Sequence, residues 1–182
     1  PQFDYVAVDI GNNEVLIVAE ALLAQSLQKF GITEHRVIEK FKGKKLEGLK
    51  ARHPFIDRES LVILGDHVTL EAGTGVVHTA PGHGQEDFQV SLKYGLMDGY
   101  SAPEINPLGG NGVFLPGTPL FAGQYIWKAN DTITALLADR GALLASGKLE
   151  HSYPHCWRHK SPVAFRATPQ WFISMVEANL RK

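Results

Sequence analysis

Cysteine is nearly missing from this sequence, and long apolar runs are missing altogether. The single Cys156 excludes an internal disulfide and fits a reducing compartment, so we expect a cytoplasmic protein. No stretch of eighteen or more apolar residues occurs, which argues against a membrane span. A signal-peptide pattern is also missing, and the start at Pro1 rather than at a methionine suggests a piece of a longer chain.

An excess of positive charge is missing too, because 18 basic and 19 acidic residues leave a net charge of −1. A dedicated nucleic-acid binder is usually clearly basic, so any RNA contact must be local. The sequence contains no GxGxxG, no Walker motif and no GxSxG, and therefore predicts no cradle for ATP or NAD. What is present, 182 residues of which 44% are hydrophobic, is enough for one domain with a real core.

The apolar patterns predict an α+β domain with a barrel-like, mostly antiparallel β core and about three surface helices. The first two predicted strands, Phe3–Ile10 and Val15–Val18, are expected to pair as a β-hairpin. The others are His35–Phe41, a buried strand at Leu61–Leu64, Val76–Thr79, a short one within 112–117, Leu143–Tyr153 and Val163–Thr168. The predicted helices are Ala19–Phe30 with a glycine stop at Gly31, a segment starting at Gln85, and Ala129–Arg140 capped by Asn130 or Asp131, with Pro169–Leu180 as a further candidate. Residues 46–54 are expected to form a loop.

Residues 73–88 combine the features expected of a site. Gly73 and Gly75 allow a tight bend with positive φ, and the strand that follows would end near His78. The next helix carries Asp87 in its first turn, where free N–H groups and the helix dipole stabilise a carboxylate. An imidazole and a carboxylate would then face a glycine-walled recess. The alternative is that Asp87 only caps its helix and His78 is an ordinary core histidine.

The letters GTGVVHTAPGHGQEDF of residues 73–88 resemble the signature segment of the editing domain of class I aminoacyl-tRNA synthetases for isoleucine, valine and leucine. The stretch HSYPHCWRHKSPVAFRATPQWF (151–172) resembles the isoleucyl enzymes, bacterial ones in particular. Between them, ILGDHVTLEAGTG, GVFLPGTPLF and WKANDTITALLADRGAL fit the same domain in order. The resemblance covers nearly the whole chain and implies a single editing domain over residues 1–182, with the barrel-like architecture.

The resemblance also implies a reaction. In these synthetases the domain hydrolyses tRNA charged with the wrong amino acid, which is valine for an isoleucyl enzyme that ligates isoleucine to tRNA using ATP. The implied partners are the acceptor end of tRNA(Ile) carrying valine and the rest of the synthetase chain, with no membrane. No metal or organic cofactor is implied here, since ATP and magnesium belong to the aminoacylation core, which we expect to lie outside these residues.

The family roles transfer to particular positions. Asp87 matches the aspartate that holds the α-ammonium of the aminoacyl group, and His78 matches the histidine that admits valine and collides with isoleucine. Four neighbours are expected to form the walls: Thr74, Gly75, Val76 and Thr79. The family's threonine-rich segment has no counterpart between Pro1 and Val62, so we expect it upstream and expect the isolated chain to hydrolyse poorly.

Two functional alternatives stay open at this point. The chain could be a non-catalytic module that docks the acceptor end of tRNA, with the basic stretch Lys40–Lys45 and Arg158 contacting phosphates. The same lysines could equally be a solvated surface. Within the class, the chain could instead be the editing domain of a valyl or leucyl enzyme.

One further cluster has metal-ligand spacing. Cys156 and His159 are separated by two residues, and His151 and His155 lie close by in sequence. A structural zinc site usually has more thiolates, so a packed, hydrogen-bonded turn is the favoured interpretation. A cysteine nucleophile is disfavoured because no known motif surrounds Cys156.

Overall fold

Two antiparallel sheets and three α-helices form the regular structure of the computed structural model, which describes residues 2–98, 105–148 and 152–177. The strands are β1 (Asp4–Asp9), β2 (Val15–Ala19), β3 (Arg36–Lys42), β4 (Lys50–Arg52) and β5 (Glu59–Leu61). The helices are α1 (Leu23–Phe30), α2 (Gln85–Lys93) and α3 (Ile126–Asp139). The predicted α+β class and the antiparallel pairing are confirmed. The described residues do not close a barrel, so the barrel-like core is not confirmed.

Strand β1 is the centre of the larger sheet, whose order is β2-β1-β3. The predicted hairpin is confirmed, with Val6 opposite Val18. A central strand has its backbone groups paired on both sides, so it can be buried without leaving backbone N–H or C=O groups unpaired. The buried cluster accordingly collects on this sheet and the turn after it: Tyr5, Val6, Val8, Val18, Ala19 and Leu22.

The predicted helix at 19–30 begins later than expected. A short 3-10 turn, Glu20–Leu22, precedes α1. The helix ends at Gly31, whose φ of 70° is left-handed, as the glycine stop predicted. Helix α3 begins three residues before the predicted start, and Tyr125 rather than Asn130 or Asp131 occupies its N-cap. Asn130 and Asp131 therefore lie inside the helix.

The predicted buried strand at 61–64 is wrong, and so is part of the predicted loop at 46–54. Lys50–Arg52 pairs with Glu59–Leu61 in a two-stranded ribbon, with Lys50 opposite Leu61. A two-stranded ribbon has no third strand to shelter it, and the outer residues of both strands stay exposed.

The predicted strand at 76–79 is wrong as well. No strand is assigned to these residues, and Val76 and Val77 are about half exposed. Thr74 offers the backbone a local alternative, since its Oγ1 accepts the Val76 N–H at 3.3 Å and donates to the Val76 carbonyl at 3.2 Å. Such bonds compete with a strand ladder.

The predicted strand within 112–117 reduces to isolated bridges at Val113 and Phe114. The predicted strands at 143–153 and 163–168 are wrong for their described residues, since the nearest bridge, His155 to Pro162, lies between the two segments. Residues 149–151 lie outside the described part. The predicted helix at 169–180 is wrong for residues 169–177, which show one turn at most, and the rest of it lies outside the described part. Trp171 and Phe172 are almost fully exposed, and a helix without a buried face gains little stability. None of the described helices is long and apolar enough to cross a membrane.

Candidate functional site

The bend at 73–75 is held against the larger sheet and helix α1 by three hydrogen bonds. The buried Tyr5 hydroxyl donates to the Gly75 carbonyl at 2.6 Å, and Ser26 Oγ donates to the Gly73 carbonyl at 3.3 Å. The Ala19 N–H donates to the Thr74 carbonyl at 2.8 Å. The positions of Gly75 and Thr74 are therefore set by the sheet rather than by the loop itself.

Both glycines of this bend have the predicted positive φ, 80° at Gly73 and 77° at Gly75. They differ in their surroundings. A Cβ at Gly75 would lie 2.6 Å from the Cβ of Ala19, whereas a Cβ at Gly73 would meet nothing within 4 Å. Gly75 is thus needed for space as well as for conformation.

The predicted helix at Gln85 is confirmed, and Asp87 lies in its first turn. Its partner is not a helix N–H. Oδ2 of Asp87 accepts the Ala80 N–H at 3.3 Å, and no side chain caps α2 at its N-cap residue Gly84. Asp87 therefore ties the 76–80 segment to α2, and the interpretation that it only caps its helix is wrong.

Gly84 allows this arrangement through its size. Its φ of −151° is extended backbone that any residue adopts. A Cβ at Gly84, however, would lie 2.6 Å from Oδ2 and 3.0 Å from Cγ of Asp87. The carboxylate therefore packs directly against the backbone of the turn.

His78 is exposed, so the interpretation of it as a core histidine is wrong. Its neighbourhood includes His53. Burial lowers the pKa of His53 below the usual 6.5, and the electrostatic influence of Arg58 and His78 lowers it further. His53 Nδ1 also accepts the N–H groups of Phe55 and Ile56 at 3.4 and 3.2 Å, which requires an unprotonated Nδ1.

The four predicted wall residues differ in how exposed they are. Gly75 is buried, Thr74 and Thr79 are half-buried, and Val76 is exposed. The structure joins this set to Asp87 through the bond from Ala80, two residues after His78. With the 76–79 strand missing, there is no strand alternation to place Thr74, Val76 and His78 on one face.

Sequence reasoning missed His67. Its Nε2 lies 4.0 Å from Oδ1 of Asp87, and the two side chains are 24% and 23% exposed. His67 also lines an open groove of about 440 Å³ beside α2, whose other lining residues are Leu64, Asp66, Gln85, Glu86, Gln89, Val90 and Lys93. The only sequence signal was a histidine in the stretch before the bend, which is too common a feature to single out.

Sequence reasoning also missed Asn106, which is almost completely buried. Its Nδ2 donates to the Ala167 carbonyl at 2.8 Å, and the Ala167 N–H donates to the Gly82 carbonyl at 2.7 Å. Nδ1 of His83 lies 2.9 Å from the Phe165 carbonyl. The segment around 165–167 thus holds the turn that leads into Asp87, and His83 serves this turn.

The basic stretch Lys40–Lys45 is largely paired with carboxylates. Lys42 lies 2.9 Å from Asp4 and Lys45 lies 3.2 Å from Glu39, while Lys40 pairs with Glu20. These pairs are exposed and reduce the positive field that a phosphate would meet. The interpretation as a solvated, internally balanced surface is supported more than that of a phosphate-binding patch.

Cys156 and His159 do approach each other, with Sγ 3.5 Å from Nδ1. The backbone around them is a hydrogen-bonded turn, in which the Cys156 N–H donates to the Ser161 carbonyl and the Lys160 N–H donates to that of Cys156, both at 2.8 Å. The predicted hydrogen-bonded turn is confirmed, but its side chains are mostly exposed, so it is not a packed turn. Within the described residues no three His, Cys, Asp or Glu side chains come together in a metal-binding group, and His151 lies outside that part.

Comparison with known proteins gives high similarity to three bacterial proteins described as "Isoleucine--tRNA ligase". Identity is 56% over 99% of this chain and 20% of the protein from Xanthomonas axonopodis pv. citri. Identity is 52% to the protein from Shewanella sediminis and 55% to the protein from Methylococcus capsulatus. Each of these matches covers 100% of this chain and 19% of the relative. The chain spans about a fifth of the length of these relatives. No protein-family model matches it.

Among solved structures, the chain is similar in fold to the crystal structure described as GlLeuRS-CP1, with a TM-score of 0.60. The match covers 82% of this chain and 76% of that one. Sequence identity is only 18%, so this likeness concerns the fold alone.

Proposed function

Because the chain is homologous to a segment of the bacterial isoleucine–tRNA ligases, we propose that it is the editing domain of such an enzyme and hydrolyses the ester bond of tRNA(Ile) mischarged with valine. The observation that carries the proposal is the placement of Asp87. Its carboxylate is held by the Ala80 N–H, yet it remains about a quarter exposed and open to a ligand.

Asp87 would bind the α-ammonium of the aminoacyl group. Oδ2 is occupied by the backbone of Ala80, whereas Oδ1 keeps its lone pairs for a second donor. A hydrogen bond between an ammonium and a carboxylate is charge-assisted and about twice as strong as a neutral one. Such a bond would distinguish a charged amino acid from an ordinary ester.

His78 would form the part of the wall that limits the size of the amino acid side chain. Its exposure leaves it free to contact a substrate, which a core histidine could not do. One missing methylene group changes the binding free energy in a hydrophobic pocket by only about 1–3 kcal/mol, which limits how well a single site discriminates isoleucine from valine. This pair of amino acids is itself the standard example for that figure. A second site that admits valine and excludes isoleucine is the way to correct the remaining errors.

The reaction would be attack of water on the ester carbonyl at the terminal adenosine of the tRNA. Negative charge develops on the carbonyl oxygen in the transition state, and preorganised N–H groups stabilise it. The first turn of a helix has N–H groups without intrahelical partners, and Asp87 lies in that turn of α2. Binding through Asp87 would bring the ester close to them.

The test is deacylation of valyl-tRNA(Ile) and isoleucyl-tRNA(Ile) by the chain and by a full-length ligase, each with Asp87→Asn. We expect the substitution to lower the rate on valyl-tRNA by about 10–100-fold, the equivalent of a hydrogen bond to a charged group. Affinity for uncharged tRNA should change less than about twofold, since no phosphate contact is lost. Asp57→Asn, at an exposed carboxylate, is the matched control.

The outcomes separate the possibilities. Hydrolysis of valyl-tRNA by the full-length ligase alone would mean that residues outside this chain complete the site. Activity of the chain itself would contradict the expectation of a half-site. An Asp87→Asn ligase that deacylates like the wild type would refute the proposed role of Asp87.

A further inference from the structure

We propose that His67 is a positioning residue, which holds the carboxylate of Asp87 in the orientation that receives the substrate ammonium. The proposal rests on the proposed function, because it deepens the role of Asp87. Nothing in the sequence patterns points to His67, which lies twenty residues before Asp87 along the chain.

The two oxygens of Asp87 have different neighbours. Oδ2 accepts the Ala80 N–H at 3.3 Å, and Oδ1 faces Nε2 of His67 at 4.0 Å. A separation of 4.0 Å is within ion-pair range but too long for a hydrogen bond. His67 therefore constrains the carboxylate from the second side without using the lone pairs of Oδ1, which remain available for an ammonium.

Two glycines fit this pair closely. A Cβ at Gly65 would lie 2.5 Å from Cε1 and 2.9 Å from Nδ1 of His67, so the imidazole packs onto the backbone of Gly65. Gly84 receives the Asp87 carboxylate in the same way, at 2.6 Å from Oδ2. Neither glycine has a left-handed φ, so space for the two side chains is what each provides.

Both side chains are packed into their surroundings rather than free on an open surface. Each is about three-quarters buried, which limits the rotamers that the imidazole and the carboxylate can adopt. His67 also lines the groove beside α2, which Asp87 does not line.

The experiment compares two substrates, valyl-tRNA(Ile) and N-acetylvalyl-tRNA(Ile), in the full-length ligase that carries this segment. The second substrate has no ammonium, so a residue that acts through Asp87 should matter only for the first. We expect His67→Ala to lower kcat/KM on valyl-tRNA about tenfold and on the acetylated substrate less than about twofold. His67→Gln, which keeps a polar side chain of similar reach beside Oδ1, should restore most of the loss, and the exposed His35→Ala is the control.

A second variant tests the same role without removing the imidazole. Gly65→Ala should displace the His67 ring and produce the same selective loss, and adding it to His67→Ala should cost nothing more. Gly110→Ala is the matched control, because a Cβ there would meet nothing within 4 Å. Equal losses on both substrates, or no loss at all, would overturn the positioning role. A wild-type ligase inactive on valyl-tRNA would overturn the proposed function itself, and with it this role.

Discussion

His53 supports the turn at 53–58 through its ring. Its Nδ1 accepts two backbone N–H groups, and the ring packs edge-on against Phe55 with centroids 4.5 Å apart. Phe55 in turn packs against the buried Phe121 at 5.7 Å. Protonation of Nδ1 would break both hydrogen bonds, which agrees with the lowered pKa of His53. The neutral ring is thus part of the folded structure.

The pH dependence of stability should reveal this histidine. The pKa of His53 is lowered in the folded protein, so below the unfolded value of 6.5 the unfolded chain binds more protons. Stability is therefore fully present above pH 6.5 and is lost as the pH falls through the lower folded pKa. Urea unfolding at pH 7.5 and 5 should show a larger loss for the wild type than for His53→Asn, whose amide oxygen can accept the same N–H groups without titrating. Equal losses would refute this account.

The bend at 73–75 shows how one element positions a site that lies outside it. It receives its hydrogen bonds from β1, from the end of β2 and from α1, and the 76–80 segment leaves it towards Asp87. Tyr5 links the largest core cluster to this bend through its hydroxyl. Damage to the bend should therefore reduce both stability and the proposed editing activity.

Two substitutions in the bend give a matched pair. Gly73→Ala and Gly75→Ala both place a side chain at a φ near 80°, which costs about 1–2 kcal/mol. Gly75→Ala adds a contact of 2.6 Å with the Cβ of Ala19, and overpacking costs a further 1–3 kcal/mol or so. The free energy of unfolding in urea should fall by about 1–2 kcal/mol at Gly73 and about 2–5 kcal/mol at Gly75. Equal losses of unfolding free energy in the two variants would mean that the bend shifts to avoid the contact with Ala19.

For the molecule as a whole, charge is balanced locally as well as in total. The net charge is −1, and three of the four lysines in the stretch 40–45 have carboxylate partners. Arg158 stacks on Trp157 at 4.7 Å from the ring centroid, in an exposed turn. Under the proposed function, we expect the chain to contact tRNA mainly at its acceptor end rather than through a broad phosphate contact.

Salt dependence tests that expectation. Each phosphate neutralised contributes about −0.7 to −0.9 to the slope of log K against log salt. Uncharged tRNA should therefore bind this chain weakly, with a slope no steeper than about −2. Lys44→Ala should change this slope by less than the contribution of about 0.7 that one phosphate contact makes. Filter binding at several salt concentrations measures both. A slope of about −4 or steeper that Lys44→Ala reduces by about one would favour the docking module instead.

Features encoded by neighbouring residues could be predicted from the sequence. The hairpin, the stop of α1 at Gly31, the positive φ of Gly73 and Gly75 and the position of Asp87 in a first helical turn all have the predicted form. Each depends on local backbone preference or on apolar spacing within one element, which a single stretch of sequence specifies.

Which residues far apart in the sequence contact each other was determined by the tertiary structure alone. A β-type run becomes a strand only if another strand pairs with it, which is why Val76–Thr79 and the described residues of 143–153 and 163–168 are not strands. The bond from Ala80 to Asp87 and the approach of His67 depend on how the turns before α2 fold back, with Gly65 and Gly84 leaving the space. The amino acid order supplied the groups of the candidate site, and packing determined which of them meet.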